Sequence, residues 1–533
     1  MQIEFVGGAR TVTGSSYILK DDDFCIMIDC GMFQGKHELS RRNNLELIYA
    51  PDKIDAILLS HAHIDHSGLI PKIVKSGFYG NIYATKPTAE LCAIMLTDCA
   101  HVQEVDLKFI NRRNKKLGLP LEKPLYTIED AEKAMENFVS VSYGEIIQIH
   151  PRVMACFRDA GHILGASILE IWVEEHGKQT KIVFSGDLGS KDQALVNDPT
   201  IIEEADYVLI ESTYGNRQHK NKDDTYDEFK DIINALLNNK GNIVIPSFAV
   251  ERTQEVICII RKMQDAGDIP IIPVYIDSPM AIFATEVFQN NKEYLDEESR
   301  AMIDSGKSPL EFENLHFTRS TEESKALNQL ARGAIIISAS GMCTAGRIKY
   351  HLANNIYNPN SSVIFVGYQA EGTLGRRIIE GVKRINLYGE EVVVNAQIHT
   401  LGGFSAHADR NELLEWIGHF KNKDMKVFVV HGEELTTTSL SDAIKENYGF
   451  RTYTPRWGEI VDLQTGKSTM AEYGVSPEYS EVDLAIDQLF KSMEELKRKY
   501  HKSVNESKRF SKKRVLNDIH DLDSIIDAII NEI

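Results

Sequence analysis

The sequence predicts an α/β fold in more than one domain, and three patterns carry that prediction. The chain has 533 residues, more than one hydrophobic core organises, so two or three domains are expected. Short apolar runs repeatedly end on an acidic residue: Ile26-Met27-Ile28 before Asp29, Ile182-Val183-Phe184 before Asp187, and Tyr207-Val208-Leu209-Ile210 before Glu211. Each reads as a buried strand that delivers a carboxylate at or just past its C-terminal end, where open α/β sheets place ligands. Further along, strand-like runs alternate with helix-like ones, the pattern of a largely parallel sheet.

Taken in order, residues 1–210 form the first part of one domain, with strand-like runs, turns and a few helices. Residues 211–390 read as a second α/β unit. There the helix-like Tyr226-Asp227-Glu228-Phe229 leads to a strand at 242–246, and a helix over Arg252–Asp265 leads to a strand at 271–276. Further strands follow at 334–337 and 362–366. Residues 391–465 return to strand-like sequence at 392–398, 427–430 and 451–455, with further histidines. Insertion of the second unit into the first explains that return. Residues 466–533 turn helical, with one apolar stripe through Val482, Leu489, Met493 and Leu496 and another through Val515, Ile519, Leu522 and Ile526. A basic stretch, including Lys497, Arg498, Lys499, Lys512, Lys513 and Arg514, separates them.

Composition excludes several classes. With 43% apolar and 26% charged residues the chain reads as a soluble globular protein. No apolar run reaches the roughly 20 residues that a membrane span requires, so no membrane partner is expected. Met1 to Gly8 enter strand-like sequence without a basic region or cleavage site, so no signal peptide is expected. The seven cysteines include no Cys-x-x-Cys pair and read as reduced, mostly buried thiols, which points to the cytoplasm.

The chemistry is concentrated in Ser60-His61-Ala62-His63-Ile64-Asp65-His66-Ser67-Gly68, directly after the apolar Ala56-Ile57-Leu58-Leu59. Four metal-binding side chains fall on a loop between a strand end and a helix that begins near Gly68. His61 and His63 alternate and can reach one ion, while Asp65 and His66 point to a second position nearby. Imidazole with carboxylate suits zinc, and manganese tolerates similar ligands. His162 in a glycine-flanked turn, Asp187 in Ser185-Gly186-Asp187, His407 in Ser405-Ala406-His407-Ala408-Asp409 and His431 in His431-Gly432-Glu433 complete the constellation. The two oxygens of Asp187 can bridge two metals. A net charge of −19 argues weakly against nucleic acid, but two zinc ions restore four positive charges at the site itself.

These residues resemble a known family. Asp29, the His61–His66 run, His162 and Asp187 match the core motifs of the metallo-β-lactamase fold. Glu211 in Glu-Ser-Thr-Tyr-Gly, His407 and His431 match motifs A, B and C of the β-CASP nucleases. The resemblance spans about residues 1–465 and is strongest to prokaryotic relatives of the mRNA 3′-end cleavage subunit. It implies an αββα metallo-β-lactamase sandwich, an inserted α/β β-CASP domain as a lid over the metal cleft, and a helical C-terminal extension outside the family core.

The resemblance further implies one zinc held by His61, His63 and His162 and a second by Asp65, His66 and His431, with Asp187 bridging. His407 is the implied general acid, oriented by Glu211, and Asp29 organises the metal site from behind. Histidine rather than valine in motif C, here His431, is similar to the RNA-processing branch. The expected activity is endonucleolytic hydrolysis of RNA, with 5′-to-3′ exonuclease action in view, leaving a 5′-phosphate and a 3′-hydroxyl. Rival readings are a small-molecule metallohydrolase and a non-catalytic scaffold of a processing complex. The first has no need of Glu211 and His407, and the second has typically lost ligands.

Arg252, Ser278 and Arg347 are candidate RNA contacts, since arginine suits phosphate, but internal ion pairs and helix caps explain them equally well. Gly341 and Gly372 lie on loops able to bring backbone N–H groups to a phosphate. His351 and His399 read as structural, and Lys108, Arg112, Arg113, Lys115 and Lys116 as a solvated helix face. The apolar stripes of 466–533 are expected to pack on the body or form a homodimer, in preference to contacting RNA.

Overall fold

Alternation along the strands of the first part builds two sheets with one face each turned to the other. Ile26 and Ile28, Leu209, and Phe428 join an inner core, while their neighbours Met27, Val208 and Val427 join a separate outer one. Side chains of a strand point to opposite faces in turn, so each strand serves both layers.

The computed structural model describes residues 1–471 apart from 36, 45–46, 176, 240, 329–332 and 370–371, with four isolated positions (489, 493, 496 and 519) beyond. Met1–Ala471 form one unit. The apolar stripes and basic stretch read at 466–533 lie outside the described residues, those four positions excepted.

The first sheet has eight strands in the order Ser468–Met470, Glu459–Asp462, Gln2–Phe5, Tyr17–Lys20, Cys25–Ile28, Ala56–Leu58, Asn81–Thr85 and Phe138–Val141. Its pairing is antiparallel up to Cys25–Ile28 and parallel beyond. The second sheet has seven strands: Arg451–Tyr453, Lys426–Val429, Tyr207–Ile210, Lys178–Phe184, Ser167–Glu175, Val153–Asp159 and Ile146–His150. Between them lies an apolar layer that includes Phe5, Tyr17, Phe157, Phe184 and Phe428. On the outer faces, Ile70, Ile73, Leu91 and Leu96 join the core of the first sheet, and Leu413, Ile417, Leu440 and Ile444 that of the second. Helix, sheet, sheet and helix follow one another, as the resemblance to the metallo-β-lactamase fold implies.

The third sheet is wholly parallel: Leu315–Phe317, Val274–Ile276, Ile335–Ser338, Ile243–Pro246, Ser362–Phe365 and Gln397–Thr400. Its three central strands are buried at every position, which explains their unbroken apolar runs.

Three local expectations change. The stretch 392–398, read as one strand of the returning domain, divides between Glu390–Val393, half of a hairpin with Arg384–Leu387, and Gln397–Thr400, the edge of the third sheet. By sheet membership the third layer therefore extends past 390, to Thr400. Ser468–Met470 lies in the segment read as helical but pairs with Glu459–Val461 as the edge of the first sheet. The strand read at 271–276 begins only at Val274, after Pro273, which has no N–H to give to a ladder.

Candidate metal centre

Strand ends gather the site. Asp29 follows Cys25–Ile28, Ser60 and His61 follow Ala56–Leu58, Asp187 follows Lys178–Phe184, Glu211 follows Tyr207–Ile210, and His431 follows Lys426–Val429. The four ligands read as one loop divide in two. His61 and His63 precede the helix, with His63 at its N-cap, whereas Asp65 and His66 occupy the short helix Ile64–Ser67. The Asp65 carbonyl passes so close to Gly31 that a Cβ there would lie 1.7 Å from it, so only glycine admits this turn.

Two groups of ligand atoms result. His61 Nε2 lies 3.1 Å from His63 Nδ1, which lies 3.2 Å from His162 Nε2. Asp187 Oδ2 is 3.6 Å from His61 Nε2 and 3.7 Å from His162 Nε2. In the second group His66 Nε2 lies 3.2 Å from His431 Nε2, which is 3.6 Å from Asp65 Oδ2. Asp187 Oδ1 is 3.3 Å from His66 Nε2, so its two oxygens face the two groups.

These residues fit metal ions. Three imidazole nitrogens converge at His63, and burial holds His61 and His162 well below the usual histidine pKa and His63 down to about 4. They are neutral donors, the form a metal requires. Asp187 Oδ1 is buried and faced only by ring nitrogens, His66 Nε2 at 3.3 Å and His431 Nδ1 at 3.1 Å, an environment in which a carboxylate requires positive charge nearby. Burial disfavours charge on His66, but Asp187 and Asp29 outweigh it and hold its pKa well above the usual value, so an ion bound there takes the place of the proton on this ring. Asp65 is held down at about 2 because hydrogen bonding to His431 and the neighbouring histidines outweigh its burial.

Partners behind the ligands fix their orientation. Asp29 Oδ2 lies 2.6 Å from His66 Nδ1, and the same carboxylate accepts the Ser60 N–H and hydroxyl. His162 Nδ1 faces the Ala406 carbonyl at 3.2 Å. Asp29 and His431 both hold left-handed backbone, with φ of 56° and 47°. Such conformations persist where surroundings over-determine them, and here the His431 N–H is tied to the Gly8 carbonyl.

Beside the metal groups, His407 Nδ1 lies 3.4 Å from Glu211 Oε1 and 3.8 Å from Asp187 Oδ2. Glu211 is fully buried and accepts the Leu188 and Thr213 N–H groups. Burial lowers the His407 pKa, yet the Glu211 charge and hydrogen bond raise it above the ordinary value overall. One neighbour escaped the sequence reading: His219 Nε2 donates to the His407 carbonyl at 2.9 Å and its ring meets Tyr214. Nothing in the sequence ties it to His407, 188 positions away.

Of the candidate RNA contacts, three are engaged within the fold. Arg347 gives Nη1 to Asp277 and the Thr318 carbonyl and Nη2 to the Arg319 carbonyl. Arg252 is buried and bonded to Glu255, and Ser278 caps the helix Pro279–Asn290 through the Ala281 N–H. Gly341 is buried and Gly372 exposed with φ +82°. His351 donates to Asp277, and Lys108, Arg112, Arg113, Lys115 and Lys116 are exposed on the helix Lys86–Leu117.

Sandwich and histidine–aspartate centre together define a metal-dependent hydrolase, and residues 18–212 match the metallo-beta-lactamase superfamily domain. Residues 253–378 match the Beta-Casp domain and 391–455 the Zn-dependent metallo-hydrolase RNA specificity domain. The chain is 37% identical to ribonuclease TTHA0252 of Thermus thermophilus over 434 residues, covering 81% of this chain and 94% of that protein. It is 30% identical to transcription termination factor FttA of Methanosarcina mazei over 459 residues, covering 83% of this chain and 69% of that one. A crystal structure of a protein of unknown function from Enterococcus faecalis shares the fold with a TM-score of 0.51 at 14% identity, covering 86% of this chain and 99% of the other. This chain belongs to the β-CASP ribonuclease family of the metallo-β-lactamase superfamily. Among the described residues no helix is long and apolar enough to cross a membrane.

Proposed function

We propose that this protein hydrolyses internal phosphodiester bonds of RNA with two zinc ions, leaving a 5′-phosphate and a 3′-hydroxyl, with 5′-to-3′ exonuclease action as a second mode. The carrying observation is His407, backed by Glu211, beside two ligand groups that the two oxygens of Asp187 face at 3.6 Å (His61) and 3.3 Å (His66). His61, His63 and His162 would hold one ion and Asp65, His66 and His431 the other, with Asp187 facing both. Bound there, such ions would supply Lewis acidity toward the phosphoryl group and a water-derived nucleophile at neutral pH.

The chain's own residues do the rest. His407 Nδ1 is turned to Glu211, which leaves Nε2 to give its proton to the departing 3′-oxygen as the P–O bond breaks. Glu211 keeps that imidazole protonated and oriented. Asp29, through Ser60 and His66, holds the ligand strand end in place. A small-molecule hydrolase has no use for a His407 backed by the buried Glu211, and a scaffold has no use for the complete ligand set.

The test is zinc-loaded protein on an internally structured RNA labelled at either end. Internal fragments carrying 5′-phosphates are the expected result. Intact RNA alongside turnover of a small phosphodiester or thioester would transfer the protein to the small-molecule class.

A further inference from the structure

The carboxyl ends of three adjacent parallel strands of the third sheet carry loops with no role in the metal centre. After Ile243–Pro246 comes Ser247-Phe248, after Ile335–Ser338 comes Ala339 to Gly346, and after Ser362–Phe365 comes Val366 to Tyr368. The connection from Ile243–Pro246 runs to Val274–Ile276 on one side, whereas that from Ile335–Ser338 crosses to Ser362–Phe365 on the other, so these ends form a crevice of the kind in which open α/β sheets take ligands.

That crevice presents aromatic rings. Phe248 lies over two glycines: a Cβ on Gly341 would be 3.1 Å from its ring, and one on Gly367 3.5 Å. Gln369 Nε2 bonds the Gly341 and Gly367 carbonyls at 2.9 and 3.2 Å, which fastens the two loops together. Phe248 and Tyr368, the residue after Gly367, nevertheless stay 41% and 48% exposed, so they are not there to fill a core. Exposed aromatic faces on a fixed base are costly for a soluble protein unless something stacks on them.

Position and charge indicate what that is. The Arg217 guanidinium lies 5.5 Å from the Tyr368 ring centre and 4.4 Å from that of Tyr214. Tyr214 in turn lies 5.8 Å from the His407 ring. The Arg217 guanidinium lies against the Tyr214 and Tyr368 rings, and among the described residues no carboxylate pairs with it, so its charge is available to an anion. A run of contacts thus leads from the proton donor to the exposed rings. We propose that Phe248 and Tyr368 form a stacking platform for bases of the RNA next to the cleaved linkage, with Arg217 beside them holding a backbone phosphate. Every base has a π-face, so the platform positions RNA without reading its sequence. This inference rests on the nuclease reading of the metal centre.

The test pairs a protein change with a substrate change. Wild type, Tyr368→Ala and Tyr368→Trp, all zinc-loaded, are measured on one RNA and on versions lacking a single base at successive positions. Tyr368→Ala is expected to lose on the order of tenfold in kcat/KM, carried by KM, with Tyr368→Trp close to wild type. Removing the base at one or two adjacent positions costs wild type a similar factor and costs Tyr368→Ala nothing further. Losses that multiply at every position would overturn the platform and leave Tyr368 a merely structural residue. The same cycle is read in Kd by anisotropy, so an inactive wild type refutes the nuclease reading while binding still decides the platform. A Tyr368→Ala defect confined to an acidic protein partner, with RNA Kd unchanged at every position, also overturns it.

Discussion

Asp29 Oδ2 and His66 Nδ1 stand 2.6 Å apart, while His66 Nε2 is turned to Asp187 at 3.3 Å. One carboxylate thus sets which nitrogen of the ring is offered to a metal, and it is buried with the ring so water cannot replace it. Because Asp29 holds a left-handed backbone, the informative change is Asp29→Asn, which tolerates that conformation. We expect it to weaken metal affinity by about 10- to 100-fold with little change in thermal midpoint of the apo protein. Competition with a zinc chelator checks this, and unaltered affinity would remove Asp29 from the site's support.

Asp277 is the corresponding hub of the third sheet. It is fully buried and accepts His351 Nε2, the Thr318 and Ser324 hydroxyls and Arg347 Nη1, all at 2.6–2.7 Å. Burial alone pushes its carboxyl up, but these partners together hold it far below the usual range. Asp277→Ala strands Arg347 and His351 and is expected to cost about 3–5 kcal/mol of stability with zinc content unchanged. Arg347→Ala should act the same way, more weakly, in denaturant unfolding. A variant of normal stability that loses only RNA affinity would return Arg347 to the list of phosphate contacts.

Asp159 gives the pH dependence. Burial raises its carboxyl to about 6, against hydrogen bonds from Asn197, the Gly161 N–H and Tyr143 that lower it. The native state therefore holds this proton more tightly than the unfolded chain. Its stabilising contribution is complete below about pH 4 and is lost as pH rises to about 6, a swing on the order of 2–3 kcal/mol. Asp159→Asn removes that swing, so the stability difference between variant and wild type should move in the variant's favour across this window. Thermal melts at pH 4 to 7.5 read it, and a difference that stays flat with pH contradicts the assignment.

The sandwich itself predicts the cost of a cavity. Phe184 is 1% exposed between the sheets and its ring lies 5.3 Å from that of Tyr17. Phe184→Ala should cost about 3–5 kcal/mol in urea unfolding. A loss under about 1 kcal/mol would mean that the layer collapses around the gap.

Sequence made the strand ends legible because an apolar run followed by a carboxylate or histidine is a local pattern. Asp29, Asp187, Glu211 and His431 stand at such ends, and they are where the structure gathers the site. Pairing partners are not local. Gln397–Thr400 has the composition of any strand, and only its hydrogen bonds to Ser362–Phe365 place it in the third sheet. Arg347 illustrates the same limit, since an arginine suited to phosphate is equally suited to Asp277, 70 positions away. The platform of Phe248, Tyr368 and Arg217 was invisible for that reason as well, being assembled from three separate segments.

The most direct test of the whole account compares wild type with His407→Ala, both with zinc content confirmed, under single turnover on an RNA labelled at each end. The account predicts about a 10²- to 10⁴-fold loss on ordinary RNA with zinc retained. Much of that loss should vanish on a linkage with sulfur in place of the 3′-oxygen, whose leaving group needs no proton. Equal rates for the two proteins, or an equal defect on both linkages, would contradict the assignment of His407 as proton donor.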